Sequence, residues 1–209
     1  MCHDVFGTYS ITLAGSPKRA VIPWSAQPVL LIDSSSQSGS TNAPNGISAH
    51  TITSWVSLTG VCNNACYLNG AYQEWFGWGS VCAGNNLFIV NGTVATGPTC
   101  IEQMNFLNSG AQHGPPYLPL NTWTFLAVTY DGVAGWTTFT KNSSQYSFTG
   151  GLNIPVGGIF TLGMGNGGVS PFGGQGYGGS LGETRFYARA LSASEVMRVY
   201  TYGVAIYGA

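Results

Sequence analysis

The sequence predicts an all-β fold: two antiparallel sheets stacked as a β-sandwich, with one short helix near the C-terminus. Three observations carry this. Turn formers are abundant, with 31 Gly and 10 Pro, and they separate short β-rich runs. From Trp123 to Tyr130 nearly every residue is apolar or β-branched, as in a strand covered on both faces. A single stretch, beginning at Ser192, carries a strong helix-start signal. The 209 residues suit one sandwich domain over 1–209, with 1–9 as a candidate N-terminal arm, and are enough for a substantial core.

Along the chain, residues 1–9 show no charged region followed by an apolar core. The expectation is that Met1 is a numbering start within a processed precursor. Ser34 to Asn45 is low in complexity and reads as an exposed loop within the domain. Cys62, Cys66, Cys82 and Cys100 fall within 39 residues, while Cys2 stands apart. The preferred pairing is Cys62–Cys66 with Cys82–Cys100, among the three that four cysteines allow. A zinc site fits less well, because Cys82 and Cys100 are too far apart for a second knuckle. Buried reduced thiols stay open as an alternative, and Cys2 is either free or bridged to another chain.

Leu87–Val90 and Thr93–Thr96 flank Asn91-Gly92, which predicts a hairpin with its tip at Asn91. After the Trp123–Tyr130 strand, Asp131-Gly132 supplies a turn, and Trp136–Thr140 returns as the next strand. Leu181–Tyr187 alternates, with Glu183 and Arg185 on one side as an expected pair. Ser192-Ala-Ser-Glu195 is a capping box: the serine accepts from the Glu195 N–H, and the glutamate reaches back. Val196, Val199 and Tyr200 form an apolar stripe, and Gly203 is the expected stop.

The order W-x-F-x-A-V-x-Y-D-G, a glycine-rich approach, then G-E-x-R-F-Y-x-R-A-L-S-x-x-E resembles the laminin-G-like, concanavalin A-like jelly-roll family. The likeness is clear over residues 121–200. It extends faintly to Ser10–Gly15, Ala20–Pro23 and Ile52–Val56, where family members have equivalent strands. It implies a jelly-roll sandwich of lectin-like type. Two departures stand out. Gly182 occupies a position that is often acidic in the family, which weakens any metal-binding rim, and Asn142-Ser143 replaces an Asn-Gly turn.

Only 6% of residues are charged, against about 25% in ordinary soluble domains. Little charge repulsion then opposes self-association, which points to a glycosylated or packed outer surface. Six Lys and Arg with a net charge of −1 give no footprint for a phosphate backbone, so nucleic acid is not an expected partner. No apolar run approaches membrane-spanning length.

Chemistry-bearing constellations are scarce. Glycosidic hydrolysis uses two carboxyl groups about 5–10 Å apart. Among the seven acids the nearest pair in sequence, Glu183 and Glu195, is 12 positions apart, and both have structural explanations. His3, His50 and His113 have no metal-ligand spacing, and no nucleophile elbow or phosphate loop is present. No cofactor is expected. Calcium, held by carboxylate and carbonyl oxygens of rim loops around Asp33 and Asp131, is the one alternative.

The remaining constellation is aromatic. Tyr72, Trp75 and Trp78 are interleaved with Asn69, Gln73 and Glu74, a mixture suited to stacking on sugar C–H faces and bonding sugar hydroxyls. The structural reading, Trp75 and Phe76 as core filling, competes for any single ring. Trp78, between two glycines, and Tyr177, within Gly-Gly-Gln-Gly-Tyr-Gly-Gly, look least like core. Asn91-Gly-Thr and Asn142-Ser-Ser are N-glycosylation sequons at expected hairpin tips. Sequons and clustered cysteines together indicate an extracellular or particle-surface setting. The expected function is a non-catalytic recognition module binding a glycan or a surface protein. A structural subunit of an extracellular filament or virion coat, binding copies of itself, is the alternative; a polysaccharide-degrading enzyme ranks last.

Overall fold

The computed structural model describes residues 2–3, 10–32, 38–42, 49–58, 71–78, 85–93, 100–107, 119, 121–132, 136–149, 159–163 and 178–208. Its first strands are β1 (Cys2–His3), β2 (Ser10–Ala14), β3 (Lys18–Val21), β4 (Pro28–Ile32) and β5 (Ser38–Asn42). Next come β6 (His50–Leu58), β7 (Ala71–Trp78), β8 (Asn85–Thr93) and β9 (Cys100–Leu107). β10 (Thr124–Tyr130), β11 (Trp136–Lys141), β12 (Ser144–Thr149), β13 (Ile159–Leu162) and β14 (Gly179–Tyr187) lead to helix α1 (Ala193–Tyr207).

The strands form two antiparallel sheets, ordered β1-β2-β5-β13-β7-β8-β9 and β12-β11-β10-β6-β14-β4-β3. This is the expected two-sheet, jelly-roll sandwich with a C-terminal helix. The centre of the second sheet shows why its strands read as continuous runs. On β6, His50 and Ile52 share a face with Phe186 of β14, which meets Phe160 of the first sheet edge-on at 6.1 Å. On the opposite face Thr51 bonds the segment that leads into α1, donating to the Arg189 carbonyl at 3.1 Å, and Trp55 lies beneath α1 itself. Both faces of β6 and β10 are therefore covered, and Ile52, Trp55, Phe125 and Val128 are all essentially inaccessible. Each such large apolar side chain contributes about 1.5–3 kcal/mol on burial.

The helix seals the outer face with a cluster of Ile22, Val29, Trp55, Phe125, Ala127, Leu191, Val196 and Tyr207. Trp55 stacks on Tyr200 at 5.8 Å and on Tyr207 at 4.8 Å. The expected capping box is present: Ser192 Oγ accepts from the Glu195 N–H at 3.3 Å, and Glu195 Oε2 accepts from the Ser192 N–H at 2.9 Å. Arg189 adds a two-pronged contact to Glu195 at 2.6 and 3.0 Å. The approach is pinned by Thr51 Oγ1, which accepts the Leu191 N–H at 2.9 Å.

Four expectations are corrected. Gly203 is not the helix stop: α1 runs on to Tyr207 and ends at Gly208, whose φ of 71° is the left-handed conformation glycine favours. Gly203 is instead a contact residue, since an added Cβ would come within 2.1 Å of Trp55 Nε1. Within the supposed exposed loop Ser34 to Asn45, β5 forms a strand between β2 and β13, with Ser38 and Gly39 buried. Small side chains hide such a strand from hydrophobicity patterns, yet its backbone bonds on both edges. Asn91-Gly92 is not a hairpin tip, because β8 runs straight through it with Asn91 opposite Ala71 and Glu102. Finally, the alternation of β14 is interrupted by a register shift between Leu181 and Thr184. There Gly182 makes room for Tyr207, whose ring an added Cβ would meet at 2.5–2.7 Å.

Candidate functional site

Three of the four aromatic candidates lie on β7, between β13 and β8 in the first sheet. Tyr72 is opposite Val90, and Trp78 is opposite Asn85 on one side and Phe160 on the other. The register shifts between Glu74 and Phe76, leaving Trp75 as the extra residue of a bulge. Bulges redirect the strand locally and break the simple two-residue alternation. Phe76 is buried and stacks on Phe160 at 5.6 Å, so it fills the sandwich interior as the structural reading required. The side chains of Tyr72, Trp75 and Trp78 lie outside the described residues, and so does Tyr177 entirely.

The structure adds aromatic residues that pattern reading missed. Trp24, in the turn after β3, and Tyr202, on α1, are both more than half exposed. Trp24 Nε1 donates to the Ile206 carbonyl at 3.0 Å, helping to satisfy the C-terminal end of the helix. Tyr202 lies one helical turn before Ile206, with the Arg185 guanidinium 5.5 Å from its ring centre. Arg185 in turn holds Glu183 at 2.7 Å, the pair expected from the sequence. Glu183 is further tied down because its N–H donates to Tyr207 Oη at 2.6 Å. Burial pushes the Tyr207 phenol up to about 12. A lone Trp beside Pro23 gave no periodic signal, and Tyr202, the last residue before the expected stop at Gly203, was not part of the apolar stripe read from Val196, Val199 and Tyr200.

The two glutamates whose side chains are described, Glu183 and Glu195, are both held in ion pairs. Glu183 is committed to Arg185, and Glu195 to Arg189 and Ser192. The Arg189 fork and the Ser192 bonds hold the Glu195 carboxyl down at about 2. In the first sheet, Glu74 is opposite Phe88 and Phe88 opposite Asn105, three positions along β9 from Glu102. That odd offset sets the two positions on different faces of the sheet. Among the described residues no three His, Cys, Asp or Glu side chains cluster. Asp131 follows β10 in a turn with Gly132 at φ 72°, as expected, and Asp33 lies outside the described residues.

Of the two sequons, Asn142 is at the β11–β12 hairpin tip as expected. It adopts φ 50°, standing in for the glycine of an Asn-Gly turn. Its N–H donates to the Phe125 carbonyl at 2.9 Å, and its Oδ1 accepts the Phe125 N–H at 2.9 Å. Asn91 is inside a paired strand instead, so a sugar there would not sit on a turn. Cys62, Cys66 and Cys82 lie outside the described residues, and Cys100 begins β9 with its side chain outside them.

Comparison with known structures adds the fold's relatives. Domain 4 of AbnA, an extracellular arabinanase from Geobacillus stearothermophilus seen in complex with arabinotriose, superposes with TM-score 0.60 at 17% identity. The match covers 93% of this chain and 88% of that one. The receptor-binding domain of botulinum neurotoxin type G gives TM-score 0.64 at 14% identity over 93% of this chain. This chain spans about half of that domain, 46% of its length. A heptameric SAP-like pentraxin from Limulus polyphemus gives 0.55 at 14% identity, covering 76% of this chain and 72% of that one. No curated protein sequence matches. The sequence model of the concanavalin A-like lectin/glucanase superfamily spans residues 33–197. With two antiparallel sheets in the order described, the chain belongs to that superfamily.

Proposed function

We propose that this chain is a non-catalytic carbohydrate-recognition module acting outside the cell or on a particle surface. The observation that carries this reading is the concentration of Tyr72, Trp75 and Trp78 on one central strand, β7, with a bulge at Trp75. Tyr72, opposite Val90, and Trp78, opposite Asn85, are five positions apart along β8 and so fall at positions on different faces of the sheet. Together with Gln73 and Glu74 they supply the residue types that sugar binding uses, apolar rings and hydroxyl partners. The arabinotriose on the AbnA domain and the receptor-binding role of the toxin domain point the same way, as analogies of fold. Glu183 and Glu195, the two glutamates whose side chains are described, are each paired with an arginine, which supports binding over hydrolysis at those two positions.

The test is retention on a glycan array. The wild-type chain is expected to retain a defined set of oligosaccharides, with Trp78→Ala and Tyr72→Ala each weakening retention about 10-fold. Undiminished retention by both variants would remove β7 from the site. Release of reducing ends from a polysaccharide, lost on replacing one acid, would make the protein an enzyme.

A second reading, a subunit of an extracellular filament or coat, is favoured by the 6% charged content. Negative-stain microscopy separates the two: the recognition reading expects single molecules or small oligomers, the coat reading large regular particles.

A further inference from the structure

We propose that the outer edge of β12 is an interface with a second copy of this chain, the two β12 strands pairing antiparallel across a twofold axis. It stands apart from the carbohydrate reading, since β7 is an inner strand of the other sheet. Among the described residues four strands end the two sheets: β1, β9, β12 and β3. Sheet edges are ordinarily protected by shortness, charge, proline or a bulge. β1 has only two residues, β3 carries Lys18 and Arg19, and β9 carries Glu102. β12, Ser144-Gln-Tyr-Ser-Phe-Thr149, has none of these devices: it contains no charge and no proline, and its register with β11 is unbroken from Ser144 to Thr149. Ser144, Gln145, Tyr146 and Ser147 are all exposed.

The register decides which backbone groups face outward. Lys141 and Ser144 close a two-residue hairpin, and such a closing pair is hydrogen-bonded. By alternation Thr140–Gln145, Thr138–Ser147 and Trp136–Thr149 are then the non-hydrogen-bonded pairs, whose side chains come closer together. The 3.0 Å contact between Thr138 Oγ1 and Ser147 Oγ agrees with this. Gln145, Ser147 and Thr149 therefore turn their N–H and C=O groups away from β11, toward the position of a further strand.

Symmetry and charge make a second copy the fitting occupant. With the axis at Ser147, Ser147 faces Ser147 of the copy and Gln145 faces Thr149 of the copy, so every outward position meets another. Tyr146 then falls opposite Phe148 of the copy, a favourable aromatic cross-strand combination. No like charges oppose each other along the strand, and a chain with 6% charged residues and a net charge of −1 adds little repulsion. A patch that contacts itself across a twofold is closed, so it yields dimers and not filaments. One six-residue edge offers far less than the ~800 Å² per partner of a stable interface, which sets a weak Kd on the order of 0.1 mM.

The experiment is analytical sedimentation of the full chain from about 0.01 to about 1 mM, bracketing that Kd. The wild type is expected to pass from monomer to dimer. Ser147→Lys sets two ammonium groups face to face at the axis, and Ser147→Pro removes an outward N–H without removing a bond to β11. Both variants are expected to fold and to stay monomeric. Val21→Lys, the same added charge on the β3 edge, is expected to dimerise as the wild type does. Ser147→Cys is expected to yield an oxidised dimer linked 147 to 147, because a hydrogen-bonded pair sets Cα atoms about 5.5 Å apart, within disulfide reach. A wild type that stays monomeric throughout overturns the interface. So does dimerisation that survives Ser147→Lys, or that is lost equally in Val21→Lys. Should either Ser147 variant fail to fold, the Ser147→Cys link decides, and its absence overturns the proposal.

Discussion

A methyl group at position 203 would overlap the Trp55 indole, and that single collision explains why a glycine sits in mid-helix. Gly203→Ala is expected to cost about 1–3 kcal/mol through overpacking, despite alanine's better helix propensity. Urea unfolding checks it; a stabilised variant would mean that Trp55 moves aside freely. The capping box could be read from four consecutive residues because its physics is local. The role of Gly203 could not, because its partner comes from a distant strand. Tyr207 poses the same problem: its hydroxyl accepts the Glu183 N–H, and its ring fills the space above Gly182. Tyr207→Phe is expected to cost about 1 kcal/mol and to speed hydrogen exchange at the Glu183 amide.

Strands were legible where one residue type dominated and illegible where the ladder alone defined them. β10 announced itself by apolar and β-branched residues covered on both faces. β5, composed of Ser, Gly, Thr and Asn, has its neighbours rather than its composition to hold it. Asn91-Gly92 is a hairpin signal only while its edges are unpaired, and β7 and β9 pair with β8 on both sides of it. At the β11–β12 tip the Asn142 side chain extends the ladder by imitating a backbone carbonyl toward Phe125. Asn142→Ala is expected to lose that bond and to strain the left-handed turn, costing about 1–3 kcal/mol. Faster amide exchange at Phe125 would accompany the loss; unchanged exchange would show that the side-chain bond is dispensable.

For the molecule as a whole, stability should fall at both ends of the pH scale for identifiable reasons. Glu195 is held at about 2 against an ordinary 4.5, so its contribution is complete above about 4.5 and disappears as pH falls toward 2. Tyr207 is raised from 10.0 to about 12, so its contribution is complete below 10 and is lost as pH rises toward 12. Thermal melts across pH should show both limbs, with Glu195→Gln flattening the acid limb and Tyr207→Phe the alkaline one. An alkaline limb unchanged in Tyr207→Phe would assign that loss to other groups. The sandwich was legible because alternation, turns and a capping box all agree on it. The bond from Trp24 to the end of α1 was not, because it joins residues 182 positions apart in the chain.

Recognition of a saccharide through stacked aromatic rings is tested most directly by saturation-transfer NMR on the wild-type chain with a panel of neutral tri- and tetrasaccharides. Magnetisation is expected to pass from aromatic protein protons to the C–H protons on one face of a sugar ring. Absence of transfer to every saccharide in the panel would contradict carbohydrate recognition by this protein.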